Sequence, residues 1–543
     1  MMGWFELFFL EISVKSDDKV VQGIPKAGIK EKRMSIAAKN EKVNIVHKTC
    51  QIFICFYTYA VDKIHFDKRK EVIVMRTAKR MMKKKNIQID MTKGSVLKAI
   101  LFFAIPLFLS NLFQQFYNLA DTAIVGHILG DHALSAVGSV STIYSLFTVF
   151  CFGLTSGFSI LLSQYFGSDD EKSLKKGIAA SVELAFLTAV ILTVFSTVFM
   201  KQIMRAIHVS DSLFADAYDY ILIITLGLIV NVAYNLLSSV LRAVGNSKTP
   251  LLFLTISSFL NIFLDILFIK GLGLGIAGAA YATVLAQAIS ATLCFVYINV
   301  YCRELIPCKE DFAIPGIYYK KLLSYGSSMA FMYTIINIGT LILQIGINGL
   351  GNGIVAAHIT ARKISELLMM PVSTVAGAMA TFTSQNYGAG KNERIKDGVR
   401  IGCIILFVWS TLSIVIVYSF GSILVRALTG TADGEIIRTA VRYLRINLPY
   451  YYALSALCLF RNVLQGISHN GFTLFASFLE MAGKVITVAF FVERFGYMAV
   501  CYCEPISWII CCIPVIAALR HYLYAGSFEK PRVSFRIARR KSC

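Results

Sequence analysis

The segment Ser163-Gln164-Tyr165-Phe166-Gly167 recurs 221 residues later as Ser384-Gln385-Asn386-Tyr387-Gly388. Each copy closes a long apolar stretch and opens a Lys-containing turn, so both mark the same corner of one duplicated unit. Register holds on either side. Gly130, Ala133 and Ala136 fall opposite Gly351, Ile354 and Ala357 at that offset. Downstream, the run from Leu241 to Pro250 (LRAVGNSKTP) reads against Leu464 to Gly471 (LQGISHNG), and SSFLN, ending at Asn261, meets ASFLE, ending at Glu480. An internal duplication is weighed before any count of segments because it constrains that count.

The duplicated unit is a membrane unit. Hydrophobic residues make up 56% of the chain and charged residues 16%, a balance outside that of soluble domains. An all-α polytopic protein follows, since hydrocarbon leaves no water to satisfy a backbone other than a helix or a closed barrel. Twelve windows are long enough to cross it: 97–127, 133–166, 174–200, 212–244, 250–270 and 275–301, then 319–349, 353–387, 399–425, 436–467, 472–492 and 496–523. Six spans per copy is an even number, so both copies enter the bilayer in the same direction. Lys and Arg concentrate in the loops after spans 2, 4, 6 and 8 and in the C-terminal tail. By the positive-inside rule, both termini and both repeated corners are cytoplasmic. The net charge of +21 is then mostly topology, and no nucleic-acid partner is expected.

Domain limits follow the spans. Residues 1–92 form a basic extension, read either as disordered or as a start assigned too early, with Met82 as the alternative start. Residues 93–301 are a first lobe, 302–318 a cytoplasmic linker, 319–525 a second lobe and 526–543 a basic cytoplasmic tail. The 13 cysteines are scattered without metal-ligand spacing and read as small apolar filler.

Polar residues inside the spans carry the functional signal. On the first span Asn111, Gln114, Gln115, Asn118, Asp121 and Thr122 recur every three or four residues, on one stripe. Such a stripe faces protein or a water-filled cavity, and its carboxylate reads by default as functional; interhelical glue is the plainer reading. The fifth span stacks Asn261 and Asp265 one turn apart, a set suited to a hard cation or a proton unless Asp265 only ends its helix. Asp121 is matched across the repeat by Ile342, and Asp265 falls near Lys484, so the acid pair is unshared. In the second half, Glu366 has Arg362 four residues before it and Glu480 has Lys484 four residues after, both spacings of helical ion pairs. Glu493 and Glu504 are expected near helix ends within reach of water. Pro106 permits a bend on the span that carries Asp121, either an inert kink or a hinge.

These residues, in order, resemble the MATE (multidrug and toxic compound extrusion) family over roughly residues 85–525. The carriers are PLFLSNLFQQFYNLADTAIVGHILG, LRAVGNSKTP, NIFLD, GLGIAGAAYAT and MMPVSTVAGAMATFTSQNYGAGKNERIKDG. The resemblance implies twelve helices in two six-helix, pseudo-symmetric lobes forming a V around a central cavity, and ion-coupled export of organic, often cationic, compounds. Within the family the chain looks most like the DinF-like branch, whose first-lobe site matches Asp121, Asn261, Asp265 and Thr283 here, with Pro106 as its bending proline. Sodium at Asp121, Asn261 and Asp265 is one reading of that site, a proton the other. NorM-type members place acids on spans 7 and 10, where this chain has Leu341, Ile342 and the run Pro449-Tyr450-Tyr451-Tyr452, so a second-lobe sodium site is not expected.

The expected function is therefore a cation- or proton-coupled antiporter that exports small organic molecules across the bilayer by alternating access. Gln114, Tyr117, Asn118 and Glu366 are cavity candidates, with Phe113, Met369 and Met370 as apolar lining. It is expected to work as a monomer, with no cofactor beyond H+ or Na+. A lipid-linked oligosaccharide flippase is the alternative; it needs cations in its cavity, and the spans look nearly free of buried Lys and Arg apart from Arg362, Lys363 and Lys484. An embedded enzyme is not expected, because His127, His132 and His358 are isolated and no nucleophile or metal motif accompanies them.

Overall fold

The computed structural model describes residues 89–429 and 433–524, and no strand occurs among them. Six helical spans form the first repeat: α1 (Val96–Leu129), α2 (Asp131–Gly167), α3 (Glu171–Ala206), α4 in two halves (Asp211–Leu226 and Leu228–Ala243), α5 (Lys248–Ile266) and α6 (Gly275–Tyr301). The second repeat holds α7 (Gly316–Asn348), α8 (Asn352–Gly388), α9 (Asn392–Thr429), α10 in two halves (Gly434–Asn447 and Tyr451–Gly466), α11 (Asn470–Ile486) and α12 (Tyr497–Leu519). Ten of these are long and apolar enough to cross a membrane, and the halves of α4 qualify as one span bent by 42°. The α10 segment does not, because its first half carries Arg438, Arg442 and Arg445 and a 3-10 turn at Leu448–Tyr450 interrupts it. Outward rows of Phe186, Ile191, Val194 and Val198 on α3 give the lipid-facing surface.

Duplication is visible in the backbone itself. Residues in the left-handed region pair across the repeats as Gly130 with Gly351, Asp169 with Gly390, Gly245 with Ser468, and Gly275 with Gly496. The first pair lets α1 reverse into α2 across a single residue, and α7 into α8 across three. With φ of 82° and 101° and an extended ψ, both sit where essentially only glycine is comfortable. Both α5 and α11 also run into a π-helical turn, Leu267–Gly271 and Thr487–Phe491.

Two seams bring the backbones of the repeats closest together. Along one, α2 lies directly against α7: a Cβ on Gly153 would meet the Ala330 backbone at 2.7 Å, and one on Gly157 would overlap the backbone of Tyr325 and Gly326. This is the small-residue approach by which membrane helices gain van der Waals contact. The other seam is the repeated corner. Gly167 lies on the Gln385 carbonyl and Gly388 on the Gln164 carbonyl, reciprocally. Each corner glutamine also crosses over: Gln164 Nε2 donates to the Gly466 carbonyl at 2.9 Å, and Gln385 Nε2 to the Ala243 carbonyl at 2.8 Å. Each thereby satisfies a carbonyl at the end of α10 or α4, which the helix leaves without a partner. Residues 89–92, the end of the expected extension, pack here too, Met91 N–H donating to Gln385 Oε1 at 3.1 Å. Residues 1–88 and the tail from 525 lie outside the described residues.

Candidate functional site

The candidate site sits where α1, α5 and α6 meet. Helix α1 packs on α5 within its own lobe and on α8 of the other, so its polar stripe is split between two neighbours. Asn111 Nδ2 reaches Thr374 Oγ1 on α8 at 3.5 Å. One to two turns on, Gln114 and Asn118 are exposed and Tyr117 half-buried, its hydroxyl 3.5 Å from Thr283 Oγ1 on α6. Asp121 then turns toward α5. Its carboxyl and that of Asp265 come within hydrogen-bonding contact of each other.

Asp265 is fully buried, with Asn261 one turn before it and equally buried. With the amide nitrogen turned toward the acid, Asn261 donates to Asp265 Oδ2 at 2.9 Å and accepts from Thr283 N–H at 3.3 Å. The Oδ1 atoms of Asp121 and Asp265 are left without a donor. Tyr144 of α2 and Tyr220 of α4 lie within electrostatic range of Asp121. Such a set, two carboxyls in contact with an amide beside them and open oxygen lone pairs, is chemically suited to one small cation or a proton. Asp265 lies two residues before the π-helical turn that follows α5, an irregularity common at functional positions. Pro106 is buried within α1, which runs through it as one uninterrupted helix.

The second lobe departs from the sequence expectation. Glu504 is not at a water-accessible helix end; it lies eight positions inside α12 and is buried at 5% exposure. Arg362 Nη1 donates to both of its oxygens at 2.9 and 3.0 Å, and Tyr443 donates to Oε2 at 2.8 Å. Arg362 therefore serves Glu504 first, and its expected pair with the exposed Glu366 is the looser one, at 3.9 Å. Arg461, which the sequence reading did not count, is buried and donates to Glu480 Oε2 at 3.1 and 3.2 Å. Lys484 lies 3.4 Å from Glu480 Oε1, as the helical spacing anticipates, and 3.9 Å from Glu504 Oε1. The spans are thus not nearly free of buried cations. Arg242 is a further half-buried one, donating to Ser239 Oγ at 3.1 Å. No local pattern reveals the Arg362–Glu504 and Arg461–Glu480 pairs, because their partners come from different helices. His358 is buried against Tyr497 at 3.2 Å.

Comparison with known proteins agrees with this architecture. The MatE family profile matches residues 106–267 and 328–491. The "Probable multidrug resistance protein YpnP" of Bacillus subtilis is 29% identical over 348 residues, 63% of this chain and 77% of that protein. The "Probable multidrug resistance protein YoeA" of the same organism is 28% identical over 66% of this chain and 79% of its own length. Among solved structures, an outward-facing multidrug resistance transporter of the MOP superfamily superposes with a TM-score of 0.74. It covers 81% of this chain and 98% of that one at 22% identity, a likeness of fold.

Proposed function

Because this chain belongs to the MatE family of membrane transporters, we propose that it is an antiporter exporting organic, often cationic, compounds in exchange for a proton or sodium ion. Multidrug resistance in the names of its relatives supports the substrate class. The positive loops support a bacterial cytoplasmic membrane with both termini and the repeated corners inside.

One observation carries the coupling mechanism: the Asp121 and Asp265 carboxyls meet between α1 and α5. Two carboxylates in contact repel, and a cation between them removes the repulsion. With the ion bound, α1 is held against α5 and Asn261 keeps Asp265 in place, with Thr283 accepting from Tyr117 beside them. Without it, repulsion drives α1 away, and Pro106 supplies the point of bending. The exposed Gln114, Asn118 and Glu366, with Tyr117, line the substrate path. Ion and substrate then exclude each other because each is favoured by a different position of α1.

The test is export of a fluorescent cationic dye by everted vesicles under either a proton or a sodium gradient. Asp121→Asn should lower export by more than tenfold with expression unchanged; undiminished export would remove this mechanism. The flippase alternative gains little from the second-lobe cations, since Arg362, Lys484 and Arg461 are each engaged by a glutamate and are not free for a pyrophosphate.

A further inference from the structure

The charged network of the second lobe occupies the positions that form the ion site of the first. In the register that aligns SSFLN with ASFLE, Ser258, Asn261 and Asp265 of α5 correspond to Ser477, Glu480 and Lys484 of α11. All six are buried. Between α6 and α12, the offset that pairs Gly275 with Gly496 matches Ala280, Thr283 and Ala286 to Cys501, Glu504 and Ser507, again all buried. Tyr220, within electrostatic range of Asp121, corresponds to Tyr443, which donates to Glu504. The two lobes therefore contain one site in two chemical versions.

The versions differ in how their oxygens are satisfied. In the first lobe Asp121 Oδ1 and Asp265 Oδ1 have no donor. In the second, each of the four glutamate oxygens has one: Arg461 on Glu480 Oε2, Arg362 and Tyr443 on Glu504, and the Lys484 ammonium facing Glu480 Oε1 at 3.4 Å and Glu504 Oε1 at 3.9 Å. Thr340 Oγ1 on α7 completes the surround of the ammonium at 3.3 Å. Three oxygens from three helices thus converge on a monovalent cation that is 2% exposed and covalently attached to the chain.

We propose that Lys484 is a tethered cation filling, in the second lobe, the position a mobile coupling ion fills in the first, so that each cycle takes up one coupling ion, at the first lobe alone. The inference rests on reading Asp121 and Asp265 as that ion's ligands. A lobe whose cation cannot leave has no reason to change state with the gradient; it serves as the fixed partner against which α1 moves.

Counting equivalents on purified full-length protein in nanodiscs tests this, with sodium followed by calorimetry and protons by an indicator dye. Wild type should bind one equivalent, and Asp121→Asn with Asp265→Asn none. Lys484→Ala should gain saturable binding of methylammonium, one per molecule, and keep it when both first-lobe acids are also replaced. An equivalent that survives in the first-lobe variant but is lost with Glu480→Gln overturns the inference, as does a folded Lys484→Ala protein that takes up no methylammonium. If Lys484→Ala fails to fold, the wild-type and first-lobe counts decide. A wild-type count of zero, or one indifferent to both first-lobe and second-lobe acids, instead overturns the first-lobe reading. Methylammonium binding is scored independently of that result.

Discussion

Among single residues, the second-lobe glutamates are the most exposed to loss of a partner. Glu504 and Arg362 hold each other at 2.9 Å with little water access, and removing Glu504 leaves the part-buried Arg362 with only the exposed Glu366 at 3.9 Å. Breaking such a pair costs about 3–5 kcal/mol, while replacing both members with apolar groups of similar volume is often close to neutral. Glu504→Met alone should therefore lower the thermal midpoint of the purified protein sharply, and Arg362→Met added to it should recover most of the loss. A double variant no better than the single one would mean that the pair does not act as a unit. This pair lies 142 residues apart in sequence and Arg461 lies 19 from Glu480, so neither leaves a local trace. What is legible in the sequence is one-helix spacing. Glu480 with Lys484, and Asn261 with Asp265, can be read because four residues make one turn. The meeting of Asp121 with Asp265 is suggested only by both being costly in lipid and unshared by the second copy.

Individual helices are decided by different physics. Their number and rough limits were readable because hydrocarbon thickness demands long apolar runs; their breaks were not. The span expected at 212–244 is two helices bent at Gly227, where the Val284 side chain packs so closely that a Cβ would collide with it. The close crossing of α2 and α7 is another tertiary property, although GLTSG (Gly153 to Gly157) is a small-residue spacing that could have flagged it. At Gly157 any side chain enters the α7 backbone, which cannot rotate away, whereas Gly138 on the same helix faces open space. Gly157→Leu should destabilise by at least the roughly 1–3 kcal/mol typical of overpacking. Gly138→Leu should be neutral. Thermal shift of both proteins by size-exclusion fluorescence checks this, and equal midpoints would contradict the close approach.

For the whole molecule, the alternating access proposed above would separate the two lobes at each end in turn, so the repeated corner would open once per cycle. The closure there is symmetric in its main bonds: Gln164 to the end of α10, Gln385 to the end of α4, and each corner glycine under the opposite glutamine's carbonyl. It is asymmetric in its additions. Gln164 also donates to Ser468 Oγ at 3.0 Å, whereas Gln385 accepts from Met91, whose carbonyl in turn accepts from Asn386 and Arg394 at 3.1 Å. A net hydrogen bond contributes about 1 kcal/mol, so four of them bias this end toward closure by roughly 2–4 kcal/mol. Since every 1.4 kcal/mol is tenfold in a conformational equilibrium, losing them multiplies the open population by about 30 to 1,000. Replacing both glutamines by alanine should shift the protein toward the state open at the corners while leaving the helices intact. Spin labels at the exposed Lys172 and Glu393, just beyond the two corners, should then show a longer distance component that substrate-free wild type populates weakly. An unchanged distribution would mean that the glycine packing alone, and not the crossed glutamines, holds the lobes together at this end.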